Sequence, residues 1–331
     1  MRRNSGSRRL SALALFVFLT SCSSVPQPPR LVAKGEVGGD AISSPVDSEI
    51  ARYFMEDYLQ GKRRNPQYDE QINLILKTFQ DRPILRTELD RVARETSIDF
   101  SALLFAPLHT ERNLALKKSF LREYAMAKEN RVNLRHAVAR YRIVLVPGLF
   151  YLSKPETKGD LREVRSTLEA EGFHVESIPI QEAGTVEKNA RIIAEFIREQ
   201  PASGKEIILV STSKGGPDTL YALGYLLNEA DAKKVAIWFS VGGALRGSRL
   251  ADIWSSWPRR WLAGVIGLFA GFSTDMIESL SVRKSEERMK HTHIPPSLCV
   301  VHFVGVPFSG TVSDEVRGGY EELKQYGPND G

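Results

Sequence analysis

The sequence predicts an α/β protein, with a doubly wound, mostly parallel sheet preceded by a helical extension and interrupted by a helical insertion. Three observations carry this. Five short, largely apolar runs, Arg142–Val146, His174–Ile178, Glu206–Val210, Val235–Val241 and Leu298–Val304, alternate with stretches of helical spacing near Gly159–Ala170, Val186–Gln200 and Pro217–Leu227. Strands separated by helices of that length pair in parallel and are covered on both faces. The hydrophobic period changes near Arg140, from helical spacing before it to short apolar runs after it. With 331 residues, 42% of them hydrophobic, the chain is large enough to bury such a sheet.

The first element is MRRNSGSRR followed by the apolar run Leu10–Leu19 and the small residues before Cys22. A basic start, a short apolar stretch and a small-residue cleavage context form an export signal over 1–21, too short for a permanent membrane span. Leu19-Thr20-Ser21-Cys22 resembles the bacterial lipobox; the alternative is an ordinary secretory signal with an incidental cysteine. The resemblance implies cleavage before Cys22 and its acylation, and Ser23 in place of aspartate implies an outer-membrane anchor facing the periplasm. Cys299 is then the one remaining thiol, so no internal disulfide is expected, and its apolar surroundings predict a buried core residue. Residues 22–45, rich in Ser, Pro and Gly, read as a flexible tether.

From 46 to 140 the spacing is helical, as in Ile50, Phe54 and Leu59, then Ile72, Ile75, Leu76 and Phe79, and Glu111 to about Ala139 reads as one long helix. These apolar faces need a partner, so the extension is expected to pack on the 141–331 domain. The formal charge of +5 includes Arg2, Arg3, Arg8 and Arg9 of the export segment. The remainder is nearly neutral, and no nucleic-acid partner is implied.

The stretch Leu209–Leu227 runs from a strand through Ser211-Thr212-Ser213-Lys214-Gly215 into a helix. A serine there is either a helix cap or a nucleophile on a sharp turn that tolerates only small neighbours. Three further features decide between them. Upstream, Ile143–Val146 ends in Pro147-Gly148-Leu149, a strand-to-turn glycine; downstream lie Arg246-Gly247-Ser248 with Ala251-Asp252, and then Asn329-Asp330-Gly331. Together they resemble the α/β-hydrolase superfamily, and within it the bacterial lipase-like esterases. There the elbow is usually G-x-S-x-G, the second segment is G-T-P-H-R-G-S-x-x-A-D, and the triad acid stands on an N-D-G turn. This chain has Ser211 for the first glycine, Pro147 where many relatives have histidine, and Gly243-Ala244-Leu245 for Thr-Pro-His.

The resemblance implies Ser213 as nucleophile, the backbone amides of Leu149 and Lys214 as oxyanion donors, and Asp330 as the acid. It implies a serine hydrolase acting on small-molecule or lipid esters without a cofactor. No zinc-ligand spacing, phosphate loop or dinucleotide fingerprint occurs in the sequence. Asn-Asp-Gly is also a common turn. The insertion at about 252–296, with Trp254, Trp257, Trp261, Phe269 and Phe272, reads as a cap whose apolar face lines an acyl pocket, or as a plain packed helical pair. Chain order in the family is serine, acid, histidine, and no histidine follows Asp330. Two expectations stand. Either the sequence stops before the last strand and the histidine loop, leaving the fold incomplete at its carboxyl end, or it is a binding or scaffold lipoprotein without the base. An uncovered sheet edge favours the first. His109, His136, His174 and His302 read as structural, and His291 and His293 lie in a polar loop before Pro295-Pro296.

Overall fold

The segment expected to be a tether folds from Leu31 onward. The computed structural model describes residues 30–331 apart from 38, 62–64, 81, 130–132, 202–203 and 271; the export signal and Cys22 lie outside the described residues. Strands β1 (Leu31–Val37) and β2 (Asp40–Val46) form an antiparallel hairpin turning at Gly39, whose φ is 86°. Ala33 and Val46 are fully buried. Gly35 lets the hairpin lie against the following helix, because a β-carbon there would collide with Leu59. The hairpin escaped the sequence reading because few of its residues are both apolar and buried, so its alternation is faint.

Helices α1 (Glu49–Gln60), α2 (Pro66–Thr78), α3 (Arg86–Glu95), α4 (Ile98–Arg112) and α5 (Leu114–Lys128) follow. Ser48 and Asn65 cap the first two by accepting from amides of the first turn. Phe54, Phe79, Phe100 and Leu104 build a core distinct from those of the main sheet, and Phe308 packs onto it from the far end of the chain. The single helix expected over Glu111–Ala139 is instead three: α4 ends at Arg112, α5 ends at Lys128, and a short α6 spans Arg135–Arg140. Asn113 and Asn133 stand before the new starts, the Asn113 carbonyl accepting from Lys117 and the Asn133 side chain from the Arg135 amide. Helical spacing continues through such breaks and does not reveal them.

The main sheet contains β3 (Tyr141–Val146), β4 (Val175–Ser177), β5 (Glu206–Thr212), β6 (Val235–Val241) and β7 (Cys299–Phe303). Its order is β4-β3-β5-β6-β7 and every pair is parallel. Val144 and Val146 face one core with Leu209, Trp238 and the apolar stripe of α8 (Val186–Glu199), while Ile143 and Leu145 face another with Phe173, Val175 and Ile208. This is the two-residue period of a strand buried on both sides. Helix α7 (Arg162–Ala170) follows β3, and α9 (Gly215–Tyr221) follows β5 and runs into a π-turn at Ala222–Leu226. The insertion after β6 is α10 (Arg249–Ser255), α11 (Arg259–Ala270), α12 (Thr274–Ser279) and α13 (Val282–Met289); α14 (Asp314–Leu323) follows β7. The α/β fold is as the sequence predicted. Cys299 is not: it is exposed, because β7 is one of the two outer strands of the sheet among the described residues. An apolar run reads the same at an edge as in the middle of a sheet.

Candidate active site

The site begins where β5 runs out. Ser213 has φ 49°, a left-handed conformation that costs a non-glycine residue about 1–2 kcal/mol. It is pinned on both sides: its amide donates to the Val241 carbonyl at 3.1 Å, and its carbonyl accepts from Gly216 at 3.0 Å. The turn is as tight as the small residues allow. A β-carbon on Gly215 would come within 2.6 Å of the Pro147 carbonyl oxygen, and one on Gly216 within 2.8 Å of the Gly243 α-carbon. Ser213 itself is exposed, and its hydroxyl has no hydrogen bond among the described residues. Ser211 is fully buried, and its hydroxyl accepts the Trp238 indole N–H at 2.8 Å. That bond accounts for serine in place of glycine two residues before the apex, and it engages the Ser211 hydroxyl away from the site.

Beside Ser213 lies the turn after β3. A β-carbon on Gly148 would sit 3.3 Å from that of Ser213. The Gly148 amide donates to Gly159 and the Phe150 amide to the Glu182 carbonyl, but the Leu149 amide between them donates to no described residue. The same holds for Lys214, which precedes α9 and is 3% exposed. Amides in such positions are nearly always paired, and these two border one serine.

The Lys214 side chain turns inward. Its Nζ donates to both carboxylate oxygens of Asp218, at 2.7 and 3.0 Å, and Asn189 Nδ2 donates to Asp218 Oδ2 at 2.9 Å. Asp218 and Asn189 are fully buried. Desolvation pushes the Asp218 carboxyl up to about 6, against the opposing pull of Lys214 and Asn189. Asn189 also exchanges hydrogen bonds with the Gln181 backbone, and the next residue, Glu182, holds the Phe150 and Ser153 amides. One polar chain therefore joins the turn that carries Lys214 to the turn that carries Leu149. Sequence reasoning missed it, although a lysine and an aspartate four apart at the start of an apolar helix were the available signal.

Asp330 lies exposed on the turn shaped by Asn329, whose Oδ1 accepts the Gly331 amide at 3.0 Å. It lines a cavity of about 270 Å³ with Gly242, Gly243 and His302. Asp330 thus comes to the carboxyl end of the sheet, beside the glycines that follow Val241, and no hydrogen bond among the described residues joins it to the serine. Among the described residues no imidazole hydrogen-bonds to Ser213 or Asp330. His302, expected to be structural within its strand, is exposed and shares the Asp330 cavity.

The Arg246–Asp252 segment launches the insertion. Gly247, at φ 80°, leaves no room for a β-carbon against Ser281; Ser248 caps α10, and Asp252 accepts the Val282 amide at 3.0 Å. On the turn after β3 the Phe150 ring meets that of Phe272, centroids 5.8 Å apart. Trp257 and Trp261, of the insertion that reads as a cap or as a packed helical pair, are 86% and 72% exposed and line no apolar interior. They sit at and just after the loop joining α10 to α11, where the helix turns its indoles to solvent.

No family model matches the chain, and no curated protein matches it. Solved structures do. A metagenomic carboxyl esterase, MGS0156, is 24% identical with a TM-score of 0.47, over 56% of this chain and 55% of that one. The mature Bacillus licheniformis lipase BlEst2 is 25% identical with a TM-score of 0.46, over 58% of this chain and 76% of that one. Its propeptide form is 26% identical with a TM-score of 0.49, over 58% of this chain and 41% of that one. The chain thus spans about half the length of the carboxyl esterase. By its own geometry, a parallel sheet with a strained serine turn between β5 and α9, the domain has the α/β-hydrolase arrangement.

Proposed function

We propose that the protein is a serine hydrolase that cleaves carboxylic esters through an acyl-enzyme on Ser213. The observation that carries this reading is the pair of undonated amides, Leu149 and Lys214, on either side of a serine held at positive φ. Ser213 Oγ adds to the ester carbonyl carbon while its proton passes to a general base, a role that no imidazole among the described residues fills by a hydrogen bond to Ser213. The carbonyl oxygen becomes an oxyanion between the two amides, and the C–O bond to the alcohol breaks as the alcohol regains a proton. Water then repeats the sequence on the acyl-enzyme, releasing the acid and restoring the serine. Each preorganised donor of this kind lowers the barrier by about 3 kcal/mol. Asp330 is assigned the orienting acid of the triad. The test is hydrolysis of a 4-nitrophenyl ester: turnover is expected to fall by at least about a thousandfold in Ser213→Ala, and equal turnover by the two proteins removes the reading.

The same proposal places the enzyme in the bacterial cell envelope, anchored through acylated Cys22 to the outer membrane and facing the periplasm, with apolar acyl esters as substrates. Expression in a Gram-negative host with labelled palmitate tests the anchor. Label is expected in the wild type and not in Cys22→Ala; label that persists in the variant excludes acylation at that position.

A further inference from the structure

A second, larger cavity of about 740 Å³ adjoins the one that Asp330 faces, and the two share Arg86, Gly247, Arg249 and Tyr326. Four segments far apart in sequence wall it, the fourth bringing Tyr326. Helix α3 contributes Arg86, the turn into α10 contributes Arg246 and Arg249, and Lys290 follows α13. The Tyr326 ring carries the Arg86 guanidinium at 5.6 Å from its centroid and that of Arg249 at 6.0 Å, while Arg86 Nε donates to the Tyr326 carbonyl. Two guanidiniums are therefore held on one ring. Arg86 is held below its ordinary value by partial desolvation first and by Arg249 second.

The acids of the cavity do not balance these cations. Asp90 is engaged by Arg94, and Arg249 is met by Asp252 at 3.4 Å. Arg86, Arg246 and Lys290 form no ion pair among the described residues, and Glu286 is the one further acid in the lining. Cations spread over a surface are ordinary. Cations converging on one concavity, two of them sharing a ring, repel each other until an anion enters, and guanidinium forks suit a planar or tetrahedral oxyacid.

We propose that this cleft binds an anionic oxyacid group, phosphate or carboxylate, carried by the ester that is cleaved at Ser213. The ester half rests on the function proposed above; the anion half rests on the cleft alone. The helical extension then supplies a substrate-binding residue, Arg86, in addition to its packing role.

Two measurements separate the halves. Inorganic phosphate is titrated calorimetrically into Ser213→Ala, and into the same protein also carrying Arg86→Gln and Arg246→Gln. Binding is expected in the first and weakened about tenfold or more in the second, the scale of one charge-assisted pair. Hydrolysis of 4-nitrophenyl hemisuccinate is then compared with that of the neutral 4-nitrophenyl butyrate. The wild type is expected to prefer the anionic ester, and the double substitution to reduce that preference about tenfold through KM. Vesicles of phosphatidylglycerol against phosphatidylcholine distinguish a lipid headgroup from a soluble substrate, because only the former makes hydrolysis of the anionic vesicles depend on the two arginines. Phosphate binding without ester turnover retains the cleft and removes the hydrolase reading. Ester turnover with no phosphate binding and no preference for the anionic ester overturns this inference and leaves the hydrolase reading intact.

Discussion

Ser213 stores strain that a plain helix cap would not need. Its φ of 49° is affordable for glycine, and the turn keeps serine there. Ser213→Gly is therefore expected to be more stable than Ser213→Ala by about 1 kcal/mol, since alanine keeps the left-handed penalty and glycine does not. Chemical denaturation of the two variants checks this; alanine as stable as glycine would mean that the turn relaxes when the hydroxyl is lost. At this scale the sequence was informative in pattern and silent in cause. The strand, the small residues and the serine could be read from Leu209–Leu227, whereas the tolerance of serine at 211 depends on Trp238, which lies on the next strand and which no local spacing reveals.

The start of α9 contains a buried ion pair whose charge comes at a cost. Asp218 rises to about 6 because burial outweighs the help of Lys214 and Asn189. The folded protein therefore holds this proton more tightly than the unfolded chain, whose value is near the ordinary 3.8. By linkage the stability contributed by this carboxyl is fully present below 3.8 and is lost as the pH rises to about 6. Asp218→Asn is expected to be less stable than the wild type at pH 7 by about 3–5 kcal/mol, because it leaves the buried Lys214 ammonium without its counter-charge. Denaturant titrations at the two ends of that window decide the matter. A variant as stable as the wild type at pH 7 would show that the desolvation cost of the carboxylate offsets the loss of its pairing with Lys214. Among the elements, the five strands of the main sheet were legible as short apolar runs, most clearly β3 and β5, which are buried on both faces. The β1–β2 hairpin, the breaks at Asn113 and Asn133, and the edge position of β7 were not, because each depends on which neighbour covers a segment and not on the segment itself.

Across the whole molecule the helical extension is keyed to the far end of the chain. Asp99, fully buried on α4, accepts from the Ser309 amide at 2.6 Å, the Ser309 hydroxyl at 2.8 Å and the Asp47 amide at 2.8 Å, and Arg30 also donates to the Ser309 hydroxyl. Ile98 packs with Val312 and Tyr320 beside it. The amphipathic spacing of residues 46–140 established that the extension needs a partner. It did not establish which one, since pairing across roughly two hundred residues leaves no periodic trace. The consequence for function is that α3, bearing Arg86, borders the same end of the sheet as Asp330.

The central claim is covalent chemistry at one residue, and it is tested most directly by trapping it. The protein is mixed with a fluorophosphonate ester, digested, and the modified peptide identified by mass spectrometry. The account predicts a single adduct on the peptide containing Ser213, absent from Ser213→Ala and present in Ser211→Ala if the latter still folds around Trp238. An adduct on Ser211, or equal modification of the wild type and Ser213→Ala, would contradict it.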